Sequence, residues 1–233
     1  MKILSIGTSG KNCTVAISED KKTLKEININ TGLTHSETLL PSIDQLFKDT
    51  NLSLSQIDIY AVSIGPGSFT GIRIGIATLK GICLAHNKPI VPVPSLLGLA
   101  YNVKNFEGYI VSCIDARNDN VYAGIYKKSS SSIEQVEDYI SDNVQKLVDA
   151  INALNSPVFI VGDGANCLKT ALEKSNSTLS ILYSSSEDNI EFASSIAIAA
   201  FDLYEKNIIT DDIHLTPLYL KKSQAERELE EKQ

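Results

Sequence analysis

Short apolar runs alternate with polar turns along the first hundred residues of the chain. Three segments, Lys2–Ile6, Cys13–Ser18 and Thr23–Ile29, are separated by turns rich in Gly, Ser, Lys and Asp, a pattern typical of antiparallel strands. Ile57–Ile64 and Ile90–Val93 are further strand-like runs, and helical spacing fills the gaps between them. The pattern predicts the order β-β-β-α-β-α-β-α, in which the strands that alternate with helices are parallel and buried.

Local signals place three helices in this half. Thr34 and Glu37 fit a capping box that starts the first helix. Its apolar positions fall on one face: Leu39, Leu40, Ile43, Leu46 and Phe47. The second helix, about Ile72–Ala85, is apolar over much of its circumference, so we expect it to be buried in its own domain or against another protein. A third helix starts near Leu96.

A similar order of elements recurs after residue 105. The predicted strands are Tyr109–Ile114, Val121–Tyr126, one near Ile133–Tyr139, Val158–Val161 and Ser180–Leu182, and the predicted helices lie near Val144–Leu154, Ala165–Lys174 and Ile190–Lys206. We therefore predict an α/β protein of two similar domains, residues 1–105 and 106–233. The balance of charged residues changes at the same place. Residues 1–105 contain 10 basic and 7 acidic residues, whereas residues 106–233 contain 11 basic and 21 acidic residues.

Composition narrows the class of protein. The net charge of −7 argues against a stand-alone nucleic-acid binder, which needs a basic surface. The longest apolar stretch, Ile72–Cys83, is too short to span a membrane and contains Arg73 and Lys80. The start of the chain is typical of a strand, not of a signal peptide, and the four cysteines form no CxxC motif, so we expect a cytoplasmic protein with free thiols. The charged segment Lys221–Gln233 predicts an exposed tail.

A glycine-rich loop between a strand and a helix is the strongest candidate for a binding site in the sequence. Its backbone N–H groups could meet a phosphate at the start of the second helix, although the spacing matches neither a Walker A loop nor a nucleophile elbow. A tight turn that needs glycine explains the loop as well. The candidate phosphate or nucleotide contacts are Gly65, Gly67, Ser68, Thr70, Gly71 and Arg117. Asp115 and Arg117 could bind a ligand in an interdomain cleft or hold a turn.

The sequence predicts no metal site and no catalytic residue. The three histidines, His35, His86 and His214, are far apart and lie in neither an HExxH nor an HxxxH pattern. No Ser-His-Asp or Cys-His set can be argued from order or spacing.

A set of segments spread over the whole chain resembles the TsaB family, also called YeaZ. The matching segments, in family order, are Ile3–Ser9 with Val15-Ala16, His35–Pro41, Gly65–Arg73 with Gly75, Ser95-Leu96 with Leu99-Ala100, Asp115–Arg117 with Val121-Tyr122, Gly162–Gly164, and Pro217–Lys221. The glycine-rich segment is the most specific. The resemblance implies two domains of the actin/sugar-kinase/Hsp70 fold, which are ribonuclease H-like and agree with the doubled pattern.

The resemblance also implies a role and partners. A TsaB-like chain is a non-catalytic subunit that binds and activates TsaD, the enzyme that transfers the threonylcarbamoyl group to adenosine at tRNA position 37. TsaE, an ATPase, joins them, and TsaC or a relative supplies threonylcarbamoyl-AMP. We expect contact with TsaD through the first two helices, with tRNA bound through the complex, and a homodimer when TsaD is absent. The predicted interface residues are Leu39, Leu40, Ile43, Ile72, Gly75, Ile76, Leu79 and Cys83.

Two departures bear on the alternative functions. The first strand ends in Gly7, where such proteins often have Asp, and glycine brings no charge for Mg²⁺. This departure counts against an ATP-dependent kinase or ATPase. The HxxxH of TsaD is missing, since Thr38-Leu39 follows His35, which counts against TsaD itself and against a metallopeptidase. We expect no cofactor of its own, and the sequence leaves open whether a nucleotide binds at the junction with TsaD.

Overall fold

The computed structural model describes residues 1–130, 132–175 and 179–221. The elements of the first half are β1 (Lys2–Gly7), β2 (Cys13–Glu19), β3 (Lys22–Ile29), α1 (His35–Thr50), β4 (Ile59–Ser63), α2 (Phe69–His86), β5 (Ile90–Val93) and α3 (Ser95–Ala100). They form a five-stranded sheet in the order β3-β2-β1-β4-β5. β2 is antiparallel to both β1 and β3. β4 is parallel to β1, and β5 is parallel to β4. The predicted element order is confirmed.

Local sequence explains where the two long helices begin and end. Thr34 and Glu37 form the predicted capping box, and Asn51 in the left-handed conformation closes α1. At α2 the Ser68 hydroxyl accepts a hydrogen bond from the Gly71 amide, and left-handed Asn87 ends the helix. Both helices pack one apolar face on the sheet.

The second half repeats the plan with variations. Its elements are β6 (Gly108–Asp115), β7 (Asn120–Lys128), β8 (Ile133–Gln135), β9 (Ile140–Asn143), α4 (Val144–Ala153), β10 (Val158–Val161), α5 (Ala165–Lys174), β11 (Ile181–Tyr183) and α6 (Ala193–Glu205). The sheet order is β11-β10-β6-β7-β8, with β9 also paired to β7. The molecule is therefore an α/β protein with two mixed sheets, as predicted.

The prediction of a single strand near Ile133–Tyr139 is wrong. Two strands, β8 and β9, follow the same edge of β7. Residues 136–139 lie between them, opposite only Gly124 and Ile125, because the pairs Tyr126–Gln135 and Ala123–Ile140 flank this stretch. The extra residues interrupt the ladder as a bulge does.

Helices α3 and α6 each pack across the middle of the molecule. α6 covers one face of the first sheet, where its small residues Ala197, Ala199 and Ala200 lie in one cluster with residues of β1, β4 and β5. α3, from the first half, packs on β6 and β7 of the second. The chain returns to the first sheet after α6, since Ile90 and Thr210 form a bridge. The division at residue 105 remains a prediction.

Polar side chains fix the start of α6 on the first sheet. The Ser5 hydroxyl donates to the Ala193 carbonyl at 2.7 Å, and the Ala193 amide donates to the Thr14 hydroxyl at 3.1 Å. The carboxylate of Glu26 accepts from the Ser194 amide at 3.0 Å and from its hydroxyl at 2.8 Å. This buried set gives the C-terminal helix one register on the sheet.

No helix in the part of the chain that the structure describes is long and apolar enough to cross a membrane. The predicted tail after Lys221 lies outside the described residues.

Candidate functional site

The glycine-rich loop packs tightly against the end of β1. The Ser68 amide donates to the Ser9 carbonyl at 2.8 Å. A Cβ atom on Gly67 would lie 2.4 Å from that same carbonyl oxygen, and a Cβ on Gly71 would lie 2.0 Å from the Thr8 carbonyl oxygen. Gly67 also has φ +155°. Only glycine fits at these two positions, so close packing accounts for the loop.

The predicted phosphate contacts do not line the cleft that lies between the turn after β1 and the segment before α6. Of the six, Gly65, Gly67, Ser68, Thr70 and Gly71 belong to the packed loop, and Arg117 lies in the turn after β6. The Arg117 amide donates to the Asp115 carboxylate at 2.7 Å, and Arg117 has φ +65°. The structure thus uses Asp115 and Arg117 to hold a turn, one of the two roles left open. Phosphate binding by the six residues remains a prediction.

A cleft of about 310 Å³ lies where the turn after β1 meets the segment before α6. Polar side chains of both halves line it together with an apolar strip. The lining residues are Ser9, Gly10, Lys11, Asn12, Asn30, Ser95, Leu99, Ile114, Asp163, Asn166, Ser186, Asn189, Ile190 and Glu191. This placement between two halves is where ligands often bind.

Glu191 is the buried charged group of the cleft, with 5% of its surface exposed. Its carboxylate accepts from the Ser9 hydroxyl at 3.0 Å and from the Ser9 amide at 3.2 Å. Burial raises the pKa of Glu191, although hydrogen bonds from Ser63 and Ser9 oppose that shift. A Cβ on Gly7 would lie 2.7 Å from this carboxylate, 2.7 Å from the Thr14 side chain and 2.8 Å from the Ile196 side chain, so these three side chains together leave no room for a larger residue.

Asp163 is the second carboxyl of the cleft. It accepts from the Asp115 amide at 3.0 Å. Burial raises the pKa of Asp163, while that hydrogen bond and the charge of Lys11 from the opposite half work against the shift. Asp163 lies in Gly162–Gly164, one of the segments that carry the family resemblance, whereas Glu191 stands in no recognisable motif and the sequence gives no signal for it.

The structure buries seven of the eight residues predicted to contact a partner. They are Leu39, Ile43, Ile72, Gly75, Ile76, Leu79 and Cys83. They pack in the core of their own chain, and their part in a partner contact remains a prediction. Leu40 differs, with 58% of its surface exposed.

The outward side of α2 is a different set of residues. The exposed residues of α2 are Thr70, Arg73, Ala77, Gly81, Leu84 and Ala85, and we call the last four, which are apolar and recur at helical spacing, the outer face of α2. Leu84 is 81% exposed. A Cβ on Gly81 would have no neighbour within 4 Å. Helix α2 is therefore not buried on all sides within its own domain, and burial of this face against another protein, the second alternative, remains a prediction.

The C-terminal segment joins the start of α2, which the sequence did not reveal. Tyr219 stacks on Phe69 with ring centroids 4.5 Å apart, and the Arg73 Nε donates to the Tyr219 hydroxyl at 2.8 Å. The Leu218 amide donates to the Ile64 carbonyl. The ammonium of Lys221 lies 5.8 Å from the ring centre of Tyr122 in the second half.

Two of the histidines make separate local contacts. His35 contacts the Gly10 carbonyl through Nε2 at 3.0 Å, and His214 pairs with Asp211 on the surface. Within residues 1–130, 132–175 and 179–221 no group of three or more His, Cys, Asp or Glu could hold a metal ion.

Known proteins match the chain along most of its length. The family model described as TsaD, tRNA N6-adenosine threonylcarbamoyltransferase, matches residues 29–229. A tRNA threonylcarbamoyladenosine biosynthesis protein TsaB from Bacillus subtilis is 30% identical over 97% of this chain and 96% of its own length. This chain belongs to the TsaB family. The family is involved in the biosynthesis of threonylcarbamoyladenosine in tRNA.

Solved structures show the same fold. YeaZ from Pseudomonas aeruginosa has a TM-score of 0.81 at 23% identity, covering 94% of this chain and 99% of its own. The activator of 2-hydroxyisocaproyl-CoA dehydratase from Clostridium difficile, solved with bound ADPNP, has a TM-score of 0.50 at 10% identity and covers 94% of this chain and 100% of its own. The ROK hexokinase from Thermus thermophilus has a TM-score of 0.53 at 10% identity and covers 88% of this chain and 100% of its own. The chain therefore has the α/β fold of the sugar-kinase type that the sequence predicts.

Proposed function

We propose that this chain is the non-catalytic subunit that binds and activates TsaD in forming threonylcarbamoyladenosine at tRNA position 37. Membership of the TsaB family supports the pathway. The outer face of α2 and the exposed Leu40 of neighbouring α1 support a protein contact, because apolar side chains grouped on one exposed face favour burial by a partner.

Gly81 is the observation that carries the proposal. Glycine inside an exposed helix costs about 0.5–1 kcal/mol relative to alanine. No packing within the described chain requires it, since a Cβ at Gly81 would meet open space. Close approach of a partner helix to this face gives the glycine a role that the chain alone does not.

The charge distribution of this chain favours tRNA contact by another subunit of the complex. The chain carries a net charge of −7, and its acidic excess lies after residue 105. We propose that TsaD supplies most of the tRNA contact, that TsaE joins the pair, and that a homodimer covers the outer face of α2 when TsaD is absent. If a nucleotide binds at the junction with TsaD, its binding would require both proteins.

The cleft favours this role over the alternative of a kinase. A kinase of this fold would need a carboxylate at the end of β1 to hold Mg²⁺. In this chain Gly7 stands there, and the adjoining space is filled by Glu191, whose two oxygens face Ser9.

Pairing with TsaD tests the proposal at the outer face of α2. Leu84→Asp should weaken pairing roughly 10–150-fold, because burial of one Leu is worth about 1.5–3 kcal/mol. Leu182→Asp is the matched control, since Leu182 is also exposed, at 48%, but lies on β11 of the second half. Equal affinities of parent and Leu84→Asp, measured by calorimetry, would refute this surface. A charged substitution at Ile76 would not test this surface, because that side chain is in the core.

A further inference from the structure

The turn after β1, residues 8–12, directs two hydrogen-bond donors of Ser9 at one carboxylate. The Ser9 amide lies 3.2 Å from Glu191 Oε2 and the Ser9 hydroxyl lies 3.0 Å from Glu191 Oε1. Backbone and hydroxyl donors on a turn beside a cleft are the groups that bind phosphate oxygens in many proteins. In this chain the carboxyl oxygens of Glu191 already accept from both donors.

Other contacts lock Glu191 in that position. The Asn12 side chain donates to the Glu191 main-chain carbonyl at 2.7 Å, so the same turn also holds the backbone of residue 191. Gly7 leaves room for the carboxylate, since any Cβ there would lie 2.7 Å from it. Only 5% of Glu191 is exposed, and this group cannot swing out of the cleft without breaking these contacts.

The remaining charges of the cleft do not compensate an incoming anion. Its charged lining residues are Lys11, Asp163 and Glu191, which together carry a formal net charge of −1. The positive charge of Lys11 already interacts favourably with the Asp163 carboxylate. A phosphate placed on the Ser9 donors would stand within a few ångströms of the Glu191 carboxylate, where like charges repel strongly. A magnesium nucleotide, as the fold of sugar kinases would imply, does not fit these residues.

We infer that Glu191 is a built-in anion that occupies the phosphate position of the turn after β1 and makes the cleft reject phosphorylated ligands. Glu191 is therefore a specificity-determining residue of the cleft. This property is independent of the contact with TsaD, because the cleft and the outer face of α2 are formed by different residues.

Titration with inorganic phosphate, and separately with magnesium ATP, tests the inference on the full chain. The Ser9 amide resonance in NMR spectra reports binding directly. Glu191→Gln keeps the size of the side chain and removes its charge, whereas Glu191→Ala also empties the space. Glu187→Gln is the matched control, since it removes one charge from the same segment at an exposed position outside the cleft.

We expect no phosphate-dependent shift of Ser9 in the parent chain or in Glu187→Gln. Glu191→Gln or Glu191→Ala should bind phosphate at Ser9 at least about tenfold more tightly than the limit that the parent's titration sets, a gain of at least about 1.4 kcal/mol. Saturable binding of either ligand at Ser9 in the parent would overturn the inference. So would the absence of any gain in a Glu191 variant whose spectrum shows the native fold; Glu191→Gln provides that test if Glu191→Ala does not fold.

Discussion

Arg73 and Tyr219 are hydrogen-bonded, with 2.8 Å from Nε to the phenolic oxygen, although 146 positions separate them in the chain. Tyr219 also stacks on Phe69 in the first turn of α2. The segment that carries Tyr219 continues from α6 and contacts the strand end before the glycine-rich loop, through Leu218 and Ile64. The C-terminal segment therefore fastens the first turn of the helix that we propose as the partner surface.

Two substitutions at Tyr219 separate its hydrogen bond from its stacking. Tyr219→Phe should lower the free energy of unfolding by about 0.5–1.5 kcal/mol, the net value of one hydrogen bond. Tyr219→Ala should lower it further, because it also removes an aromatic pair worth about 0.5–1.5 kcal/mol beyond the buried area. Urea denaturation measures both. An unchanged stability in Tyr219→Ala would show that this segment does not hold α2.

Glu191 should make the protein less stable as pH rises above the acid range. Its pKa is raised in the folded state, so its favourable contribution is complete below the ordinary glutamate pKa and is lost as pH rises through the folded pKa. Glu191→Gln should therefore be more stable than the parent at pH 7, with the difference shrinking toward pH 4. Denaturant unfolding at several pH values measures this difference.

The comparison between parent and variant isolates Glu191 from the rest of the cleft. Asp163, whose pKa is also raised by burial, is present in both proteins, so its contribution cancels to first order. Glu187→Gln is the surface control. A stability gain of Glu191→Gln that stayed constant across the pH range would contradict the account.

Two glycines of α2 should respond to alanine in opposite ways. Gly81→Ala should raise the stability of the isolated chain by about 0.5–1 kcal/mol, because the site is open and alanine favours the helix. Gly75→Ala should lower it by about 1–3 kcal/mol, since its Cβ would lie 2.4 Å from Thr8 Oγ1. Thermal or urea unfolding checks both values.

Gly81→Ala also probes the partner. The proposal predicts that this stabilised variant pairs with TsaD more weakly than the parent, because the added methyl group stands on the outer face of α2. A more stable variant with unchanged affinity would argue against close helix approach at this position.

Most elements of this fold can be predicted from local sequence patterns, whereas features that depend on contacts between distant residues cannot. The capping box of Thr34 and Glu37 and the strands Ile90–Val93 and Val158–Val161 depend on neighbouring residues, so the sequence predicts them well. The bulge at residues 136–139 depends on pairing with β7, which no local pattern records.

The site was harder to predict than the fold. Helical spacing identifies apolar faces but does not say which one meets the chain's own sheet, so spacing alone does not separate buried residues such as Ile76 from exposed ones such as Leu84. The Glu191–Ser9 contact joins residues 182 positions apart. Only the departure at Gly7 hinted at it, because a missing side chain leaves room for a distant one.

Glu26 should be important for seating α6 on the first sheet. Glu26→Ala removes the carboxylate that accepts from the Ser194 amide and hydroxyl at the start of the helix. We expect a loss of about 0.5–2 kcal/mol in the free energy of unfolding, as for other helix caps. Glu19→Ala, which removes only a surface ion pair with Lys2, should cost about 0–1 kcal/mol. Equal losses in the two variants, measured by urea unfolding, would contradict this role.

Reconstituted tRNA modification tests the central claim most directly. TsaD, TsaE, the threonylcarbamoyl-AMP synthase, ATP and tRNA are combined with this chain, without it, or with its Leu84→Asp or Leu182→Asp variant. We predict modified tRNA with the parent chain and with Leu182→Asp, and a loss of modification both on omission and with Leu84→Asp. Modification that proceeds unchanged when the chain is omitted would contradict the account.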